Sequence, residues 1–243
     1  MLLALLADIH ANIEALEACL AHARVEGADR YAFLGDLVGY GADPAAVVDL
    51  VRQHAASGAV VIQGNHDASV AGSSRDLNEQ ARDAILWTRE ALGADASAYL
   101  AALPLAVNEG RICFVHASAD RPARWEYVED GNSARRSVDA AGATWTFSGH
   151  VHRQGLFFDA GKVAMVEFRP TPGTAIPVGS NRRWLAIAGS VGQPRERNPA
   201  AAYALFDDAR ETLTFHRVPY DHHSAARKLR AAGLPWTSGW GPL

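Results

Sequence analysis

The sequence predicts a single α/β domain, and three observations support this fold class. Short apolar runs alternate with helical patterns in the first half of the chain, as expected for strands buried in a parallel or mixed sheet. After His152 the pattern changes to short strands separated by Gly-, Pro- and Asp-rich turns. No internal repeat or low-complexity linker interrupts the 243 residues, so we expect one domain over 1–243.

The first part of the chain is predicted to alternate strands and helices. We place strands at 2–7, 31–34 and 59–62, a helix at 12–28, and a second helix that starts at Asp43-Pro44. Asp is a typical N-cap and Pro fits the first helical position. The run Gly39-Tyr40-Gly41 indicates a tight loop in which the backbone approaches another group closely.

The segment 69–103 shows no strand signal and is predicted to form a loop followed by two helices, anchored by Ile85, Trp87 and Leu92. It lies between two of the polar motifs described below, so it is placed to form a helical cap over them. A plain crossover packed on the sheet is the alternative interpretation.

The rest of the chain is predicted to be mainly strand. The helices expected here are 132–140 and 221–232, the latter closed by Gly233. The tail 234–243 shows no periodicity. A hairpin turns at Asn108-Glu109-Gly110, and strands are expected at 105–107, 112–115, 144–148, 156–158, 163–168, 184–188, 203–206 and 213–218.

Composition excludes several classes of protein. A formal net charge of −4 argues against nucleic acid as an obligate partner, because phosphate-backbone binding needs a basic face. A small phosphate substrate held by metals is compatible with this charge. Cys19 and Cys113 fall in a helix and a strand, so we expect buried thiols and a reducing cytoplasm. The apolar run 1–7 is too short to span a membrane, and we expect no membrane partner.

Five predicted strands end in side chains that bind metals. Strand ends of this kind can converge on one small volume. Each motif alone is compatible with an ordinary turn or a core histidine, and His22, His54, His216, His222 and His223 follow no such pattern. The ordered set favours a metal site of carboxylate, imidazole and amide donors without cysteine, which disfavours structural zinc. Its members are Asp8, His10, Asp36, Asn65, His116, His150 and His152.

These motifs resemble the full motif set of the calcineurin-like metallophosphoesterases. The resemblance covers residues 1 to about 155, through Asp8-X-His10, Gly35-Asp36, Gly64-Asn65-His66-Asp67, His116 and Gly149-His150-X-His152. The segment 189–194 resembles a late segment of the small bacterial branch of that family, although Ala188 stands where many relatives carry proline. The resemblance implies a four-layer α/β/β/α sandwich with two mixed sheets, and a dinuclear site for divalent or trivalent Mn, Fe or Zn.

The resemblance also implies roles for individual residues. His66 would be the general acid near the leaving oxygen, oriented by Asp67. Asn12 would hold the first loop by hydrogen bonding, although a simple helix cap is an alternative. The ligands divide into Asp8, His10 and His152 for the first metal, Asn65, His116 and His150 for the second, and Asp36 as the bridge.

The implied activity is hydrolysis of phosphoric esters or anhydrides, with a phosphodiester or nucleotide as the small phosphorylated substrate. Alternatives are a dinucleoside polyphosphate hydrolase or a Ser/Thr protein phosphatase-like activity. Arg121, Arg124, Trp125 and Tyr127 would suit a nucleotide, although they are also compatible with ordinary loop roles. A non-catalytic scaffold on the same fold is the non-enzyme alternative, and the complete ligand set together with His66 argues against it. A homo-oligomer is compatible with the sequence.

Overall fold

Two six-stranded β-sheets pack face to face in the computed structural model, which describes residues 1–72, 79–195 and 198–234. The first sheet has the strand order β3-β2-β1-β11-β12-β9 and the second β4-β5-β6-β10-β7-β8. The strands are β1 (Leu2–Leu6), β2 (Arg30–Phe33), β3 (Val60–Val61), β4 (Ala106–Glu109), β5 (Ile112–Val115), β6 (Trp145–Ser148), β7 (Gly155–Phe158), β8 (Val166–Phe168), β9 (Ala175–Pro177), β10 (Trp184–Ile187), β11 (Ala201–Asp207) and β12 (Thr212–Val218).

Helices cover the outer faces of both sheets, which gives the four-layer sandwich that the sequence predicts. The α1 helix packs against β11 and β12 of the first sheet, and α6 packs against β10 of the second. The helices are α1 (Ile13–Val25), α2 (Pro44–Ala56), α3 (Asn65–Ala71), α4 (Glu79–Ala91), α5 (Ala94–Ala102), α6 (Gly131–Ala141) and α7 (His222–Ala231), with a 3₁₀ turn at Pro122–Arg124.

The uninterrupted apolar run of β1 follows from its position between two buried layers. Successive side chains of a strand point to opposite faces of the sheet. Leu3 and Leu5 therefore enter the core between the sheets, where Phe147 and Phe206 also pack. Ala4 and Leu6 face the helices on the other side. A strand buried on both faces needs apolar residues throughout, because no position alternates toward water.

Parallel pairing brings the polar strand ends together. Strands β1, β2 and β3 run parallel in the first sheet, and β5, β6 and β10 run parallel in the second. Their carboxyl ends therefore present the following loops at a common edge, where ligands commonly bind in α/β folds. The site described below is built from these loops.

Several elements differ from the sequence prediction. The α3 helix begins at Asn65, so this motif forms the first turn of a helix instead of a turn after a strand. The strand expected at 163–168 is shorter, and β9 was not expected because three largely exposed residues carry no apolar alternation. Pro177 suits β9 because this strand lies at the edge of its sheet, where it pairs with β12. The predicted tail, from residue 235 onward, lies outside the described residues.

The two helices predicted in 69–103 are present as α4 and α5. Ile85, Leu92 and Leu100 are buried in the cluster that also contains Leu16 of α1 and Val51 of α2. The segment therefore packs on the outer layer, as a crossover would. Within the described residues, no helix combines the length and apolarity needed to cross a membrane.

Candidate metal centre

The predicted ligands from both sheets meet in one buried cluster. Their donor atoms form two groups, each with all atoms within 4.8 Å of one another. Asp36 belongs to both groups, and the Asn65 Oδ1 atom lies 3.2 Å from His116 Nε2, beside the second. The first group contains Asp8, His10, Asp36 and His152, and the second contains Asp36, His116 and His150.

The two oxygens of Asp36 have different surroundings. Oδ1 accepts a hydrogen bond of 2.8 Å from the backbone N–H of His66, which fixes the carboxylate. Oδ2 lies 3.8 Å from His10 Nε2 and 3.4 Å from His116 Nε2, one nitrogen from each group. A single oxygen therefore faces both groups of donors, which is the position that a bridging ligand requires.

Backbone carbonyls determine which ring nitrogen three histidines direct into the cluster. The Nδ1 atoms of His10, His116 and His152 lie 3.3, 2.7 and 2.8 Å from carbonyl oxygens. A carbonyl can only accept, so each Nδ1 carries the proton and donates it. In the neutral form of each ring, Nε2 then has a lone pair that is directed at the cluster. Metal-ligating histidines commonly show this arrangement, in which the second nitrogen donates to a carbonyl or carboxylate.

The contacts between these nitrogens fit a bound cation. His10 Nε2 and His152 Nε2 are 3.0 Å apart, and His116 Nε2 lies 3.2 Å from His150 Nδ1. Burial lowers the pKa of His10 and of His152 well below the usual value, so a proton shared between the two rings is disfavoured. Two lone pairs at this distance repel each other unless a positive ion lies between them. The residues present therefore fit metal ions.

The charges around Asp36 shift several pKa values. Burial favours the neutral acid, but the nearby His116 and His66 hold the pKa of Asp36 well below its usual range. Burial would lower the pKa of His116, yet Asp36 and Asp8 raise it to about 9. Burial raises the pKa of Asp8 to about 8. Burial, followed by the charge of His116, lowers the pKa of His150 to about 3. Asp36 therefore carries the negative charge of the cluster.

Backbone strain is concentrated in the loops that build this cluster. Ten non-glycine residues of the described ranges have positive φ, and all but Glu211 belong to these loops. Such a conformation costs an L-residue roughly 1–2 kcal/mol, so the surrounding contacts have to impose it. The strained residues around the site are Asp8, His10, Ala11, Asp36, Tyr40, Arg121, Trp125, His150 and His152.

Hydrogen bonds between distant segments impose this conformation. The Asp8 carboxylate accepts from the backbone N–H of His150 at 2.9 and 3.1 Å, which joins the two sheets. Asn12 caps α1 by accepting from Ala15 N–H, and its amide also donates to the carbonyl of Gly192. Both roles considered for Asn12 are therefore present. Gly192 is required here because an added Cβ would lie 1.8 Å from the Ile9 carbonyl oxygen.

His66 and Asp67 occupy the first turn of α3, beside the cluster. The His66 ring is 4.9 Å from the His10 ring and 4.6 Å from that of Tyr40, and an added Cβ on Gly39 would meet its Nδ1 at 2.4 Å. This is the close backbone approach that the Gly39-Tyr40-Gly41 run indicates. Burial lowers the pKa of His66.

The contacts of Asp67 differ from the expected ones. Its Oδ1 accepts from the backbone N–H groups of Leu37 and Val38, and its Oδ2 accepts from that of Gly64. In the described part of the chain, all hydrogen bonds of the Asp67 carboxylate are with backbone N–H groups. The expected orientation of the His66 ring by Asp67 therefore does not occur through a hydrogen bond between the two side chains. The carboxylate instead ties α3 to the loop that carries Asp36, because only a buried acceptor satisfies these N–H groups.

A cavity of about 410 Å³ opens above the cluster. Three of the four residues that we considered for nucleotide binding line it, namely Arg124, Trp125 and Tyr127. The Tyr127 ring stacks on that of His150 at 4.0 Å. Arg121 instead forms ion pairs with Asp120 and Glu126.

The cavity also contains residues that the sequence motifs did not identify. Tyr40 and Arg195 line its wall, together with Ser69 of α3 and Ala81 of α4. Tyr40 lies between two glycines, and Arg195 directly follows the segment 189–194, so both positions adjoin motifs that are visible in the sequence. The five histidines that we set aside lie outside both donor groups, and both cysteines are buried free thiols as expected.

Comparison with known proteins supports one assignment. The family described as the calcineurin-like phosphoesterase superfamily domain matches residues 1–210. An uncharacterized protein of Methanocaldococcus jannaschii is 32% identical over 245 residues, which cover 96% of this chain and 94% of that protein. A solved metallophosphoesterase from Sphaerobacter thermophilus is 36% identical, with a TM-score of 0.86 over 97% of this chain and 95% of its own.

A more distant structure has the same fold. The hypothetical protein from Pyrococcus horikoshii is 21% identical, with a TM-score of 0.78 over 96% of this chain and 94% of its own. The family match spans most of the sequence, and the side chains that the resemblance implies as ligands lie close together in the structure. The chain belongs to the calcineurin-like phosphoesterase superfamily.

Proposed function

We propose that this chain is a dinuclear metallophosphoesterase that hydrolyses phosphoric ester or anhydride bonds. The proposal rests mainly on the two groups of donor atoms, which share Asp36. The cavity above them is lined by arginine and aromatic side chains. Two ions of Mn, Fe or Zn would supply Lewis acidity and lower the pKa of a water nucleophile. The protein's own contribution is to hold the ligands, the leaving group and the substrate in position.

The ligand assignment follows the geometry of the two groups. Asp36 Oδ2 faces a nitrogen of each group, which supports its role as the bridge. Asn65 Oδ1 lies beside His116 Nε2, which supports the amide as a ligand of the second ion. The proposed sets are Asp8, His10 and His152 for the first ion, and Asn65, His116 and His150 for the second.

His66 is the proposed general acid. Its ring lines the cavity next to the ligands, and in the described structure its Nδ1 atom is buried without a hydrogen-bond partner. A proton donor beside the leaving oxygen would neutralise the charge that develops as the bond to phosphorus breaks. Asp67 supports this role indirectly, because its bonds to Leu37, Val38 and Gly64 hold the turn that presents His66.

The walls of the cavity favour a phosphodiester or nucleotide-type substrate. Trp125 and Tyr127 offer rings on which a base could stack, and Arg124 offers a guanidinium for phosphate oxygens. Dinucleoside polyphosphates share both features and are the closest alternative. A helical cap remains part of the proposal, since Ala81 of α4 lines the cavity although the helix also packs on the outer layer.

Metal analysis combined with hydrolysis of a chromogenic phosphodiester tests the proposal. We expect purified protein to bind two ions and to hydrolyse bis-p-nitrophenyl phosphate when loaded with Mn. A non-catalytic scaffold would bind metal without turnover. Turnover that survives complete removal of metal by a chelator would contradict the metal mechanism.

A further inference from the structure

Arg195 places a positive charge in the cavity. This residue belongs to none of the motifs that supply the proposed metal ligands. Its side chain lines the cavity together with His152, and its backbone N–H lies 3.5 Å from the carbonyl oxygen of that residue. A cationic side chain beside the proposed metal ligands is suited to an anionic substrate.

A buried tyrosine holds this guanidinium. Arg195 forms a side-chain hydrogen bond with the hydroxyl of Tyr40. Tyr40 is only 7% exposed, and its ring packs edge-on against His10 at 4.9 Å and lies 4.6 Å from the His66 ring. Its backbone has a φ of 64°, in the left-handed region. The hydroxyl is therefore fixed relative to the ligands and to the proposed acid, and it fixes the guanidinium in turn.

Arg195 lies in the same cavity as the proposed ligands and acid. Its side chain lines this cavity together with Asp36, His66 and His152, so it is near any phosphoryl group bound there. A guanidinium presents parallel N–H donors that match two phosphate oxygens, which the metal ligands cannot offer.

We propose that Arg195, positioned by the Tyr40 hydroxyl, binds the non-bridging oxygens of the phosphoryl group that is attacked. The inference deepens the proposed function and rests on it. Arg195 would be in contact with substrate, whereas Tyr40 would act only through Arg195. The interaction is expected to strengthen as negative charge develops on these oxygens in the transition state, where preorganised donors contribute most.

The first test measures binding without turnover. Calorimetric titration of the Mn-loaded protein with inorganic phosphate should give a Kd that is at least about tenfold larger in Arg195→Gln than in the natural chain. The matched control is Arg153→Gln, which removes an exposed arginine next to His152 that lines a different cavity. We expect Arg153→Gln to have the same Kd for inorganic phosphate as the protein without substitutions. Metal content is measured for every variant, so that lost affinity is not due to a lost ion.

The second test measures catalysis at matched metal content. Arg195→Gln should lower kcat/KM for bis-p-nitrophenyl phosphate by about 10²-fold, as expected for loss of one preorganised charged donor. Added guanidinium ion should restore part of the activity of Arg195→Ala. Tyr40→Phe should lower kcat/KM in the natural chain but cause no further loss in the Arg195→Gln background. If Tyr40 had only a structural role, Tyr40→Phe would lower kcat/KM both in the natural sequence and in the Arg195→Gln variant.

The outcomes separate this inference from the proposed function. Phosphate binding that depends on Arg195 in a protein without esterase activity would contradict the function and support the anion site. Esterase activity with unchanged phosphate Kd and unchanged kcat/KM in Arg195→Gln would overturn the role of Arg195 and leave the function standing. A further loss caused by Tyr40→Phe in the Arg195→Gln background would overturn the positioning role of Tyr40.

Discussion

His10 Nε2 and His152 Nε2 lie 3.0 Å apart, although 142 residues separate them in the sequence. His10 follows β1 of the first sheet and His152 follows β6 of the second. Each ring is fixed through Nδ1 by a carbonyl, of Val38 and Gln193 respectively. The fold therefore forces two lone pairs together across the sandwich, and an ion held there would join the two sheets.

Asp36→Asn should weaken both metals together and abolish turnover. An amide has the same shape as the carboxylate but removes the negative charge that both ions would share. Elemental analysis and kcat with bis-p-nitrophenyl phosphate measure the two effects. Asp49→Asn makes the same change at an exposed position of α2 and should alter neither. Two tightly retained ions in Asp36→Asn would show that this residue is not the bridge.

Metal binding should release protons near neutral pH. The pKa of Asp8 is raised by burial to about 8 from its usual 3.8, and the pKa of His116 is raised to about 9 despite burial, mainly by Asp36. Both groups hold a proton at pH 7 in the metal-free protein, and a ligand has to lose it. His10 and His152 have lowered pKa values and release none.

The raised pKa values of Asp8 and His116 determine how metal affinity changes with pH. Because protons leave on binding, metal affinity should rise as the pH increases from 7 to about 9 and then level off. Calorimetry at pH 7 in two buffers of different ionisation enthalpy measures the number released, with up to one expected from each of Asp8 and His116. Equal observed enthalpies of metal binding in the two buffers would show that no proton is released and would contradict the prediction.

Gly192→Ala should destabilise the protein and lower its metal content. An added Cβ would lie 1.8 Å from the Ile9 carbonyl oxygen, in the loop between Asp8 and His10. The Ile9 backbone cannot move aside as easily as a flexible side chain could. We therefore expect a decrease of about 1–3 kcal/mol in the free energy of unfolding. Gly155→Ala is the control, because its Cβ would meet the Ile187 methyl at 3.8 Å and the Phe157 ring at 4.0 Å, which are ordinary van der Waals contacts. Denaturant unfolding of both variants decides the comparison.

The architecture and the clustering of the candidate site residues could be predicted because local sequence patterns indicate them. Apolar runs identify the strands, and a polar residue that ends such a run identifies the functional edge. Arg195 ends no apolar run, and its proposed role depends on the hydroxyl of Tyr40, which lies 155 residues earlier in the chain. The backbone bonds of Asp67 were equally hidden, because its sequence position beside His66 suggests a contact with that ring.

Short edge elements were missed for a different reason. The β9 strand has only three residues, of which just Ile176 is partly buried, and it is stabilised by pairing with β12. Non-local pairing of this kind leaves no periodic signal in the segment itself. The start of α3 was missed because β3 contributes only two residues before the chain turns at Gly64 into the helix.

His66→Ala should lose activity selectively on substrates with poor leaving groups. An alkoxide leaving group needs a proton in the transition state, whereas a nitrophenolate hardly does, and general acid catalysis contributes about 10²–10⁴-fold. We therefore expect a loss of this size in kcat/KM on a nucleotide or alkyl phosphodiester and a much smaller loss on a nitrophenyl ester. Both ions should remain bound, because His66 belongs to neither donor group.

The comparison requires the two substrates to be measured on the same preparations at matched metal content. His223→Ala removes an exposed histidine of α7 and should leave both values of kcat/KM unchanged. Equal losses on the two substrates in His66→Ala would show that this residue positions the substrate or stabilises charge. The proton would then have to come from another group that lines the cavity, such as Tyr127, whose ring stacks on that of His150.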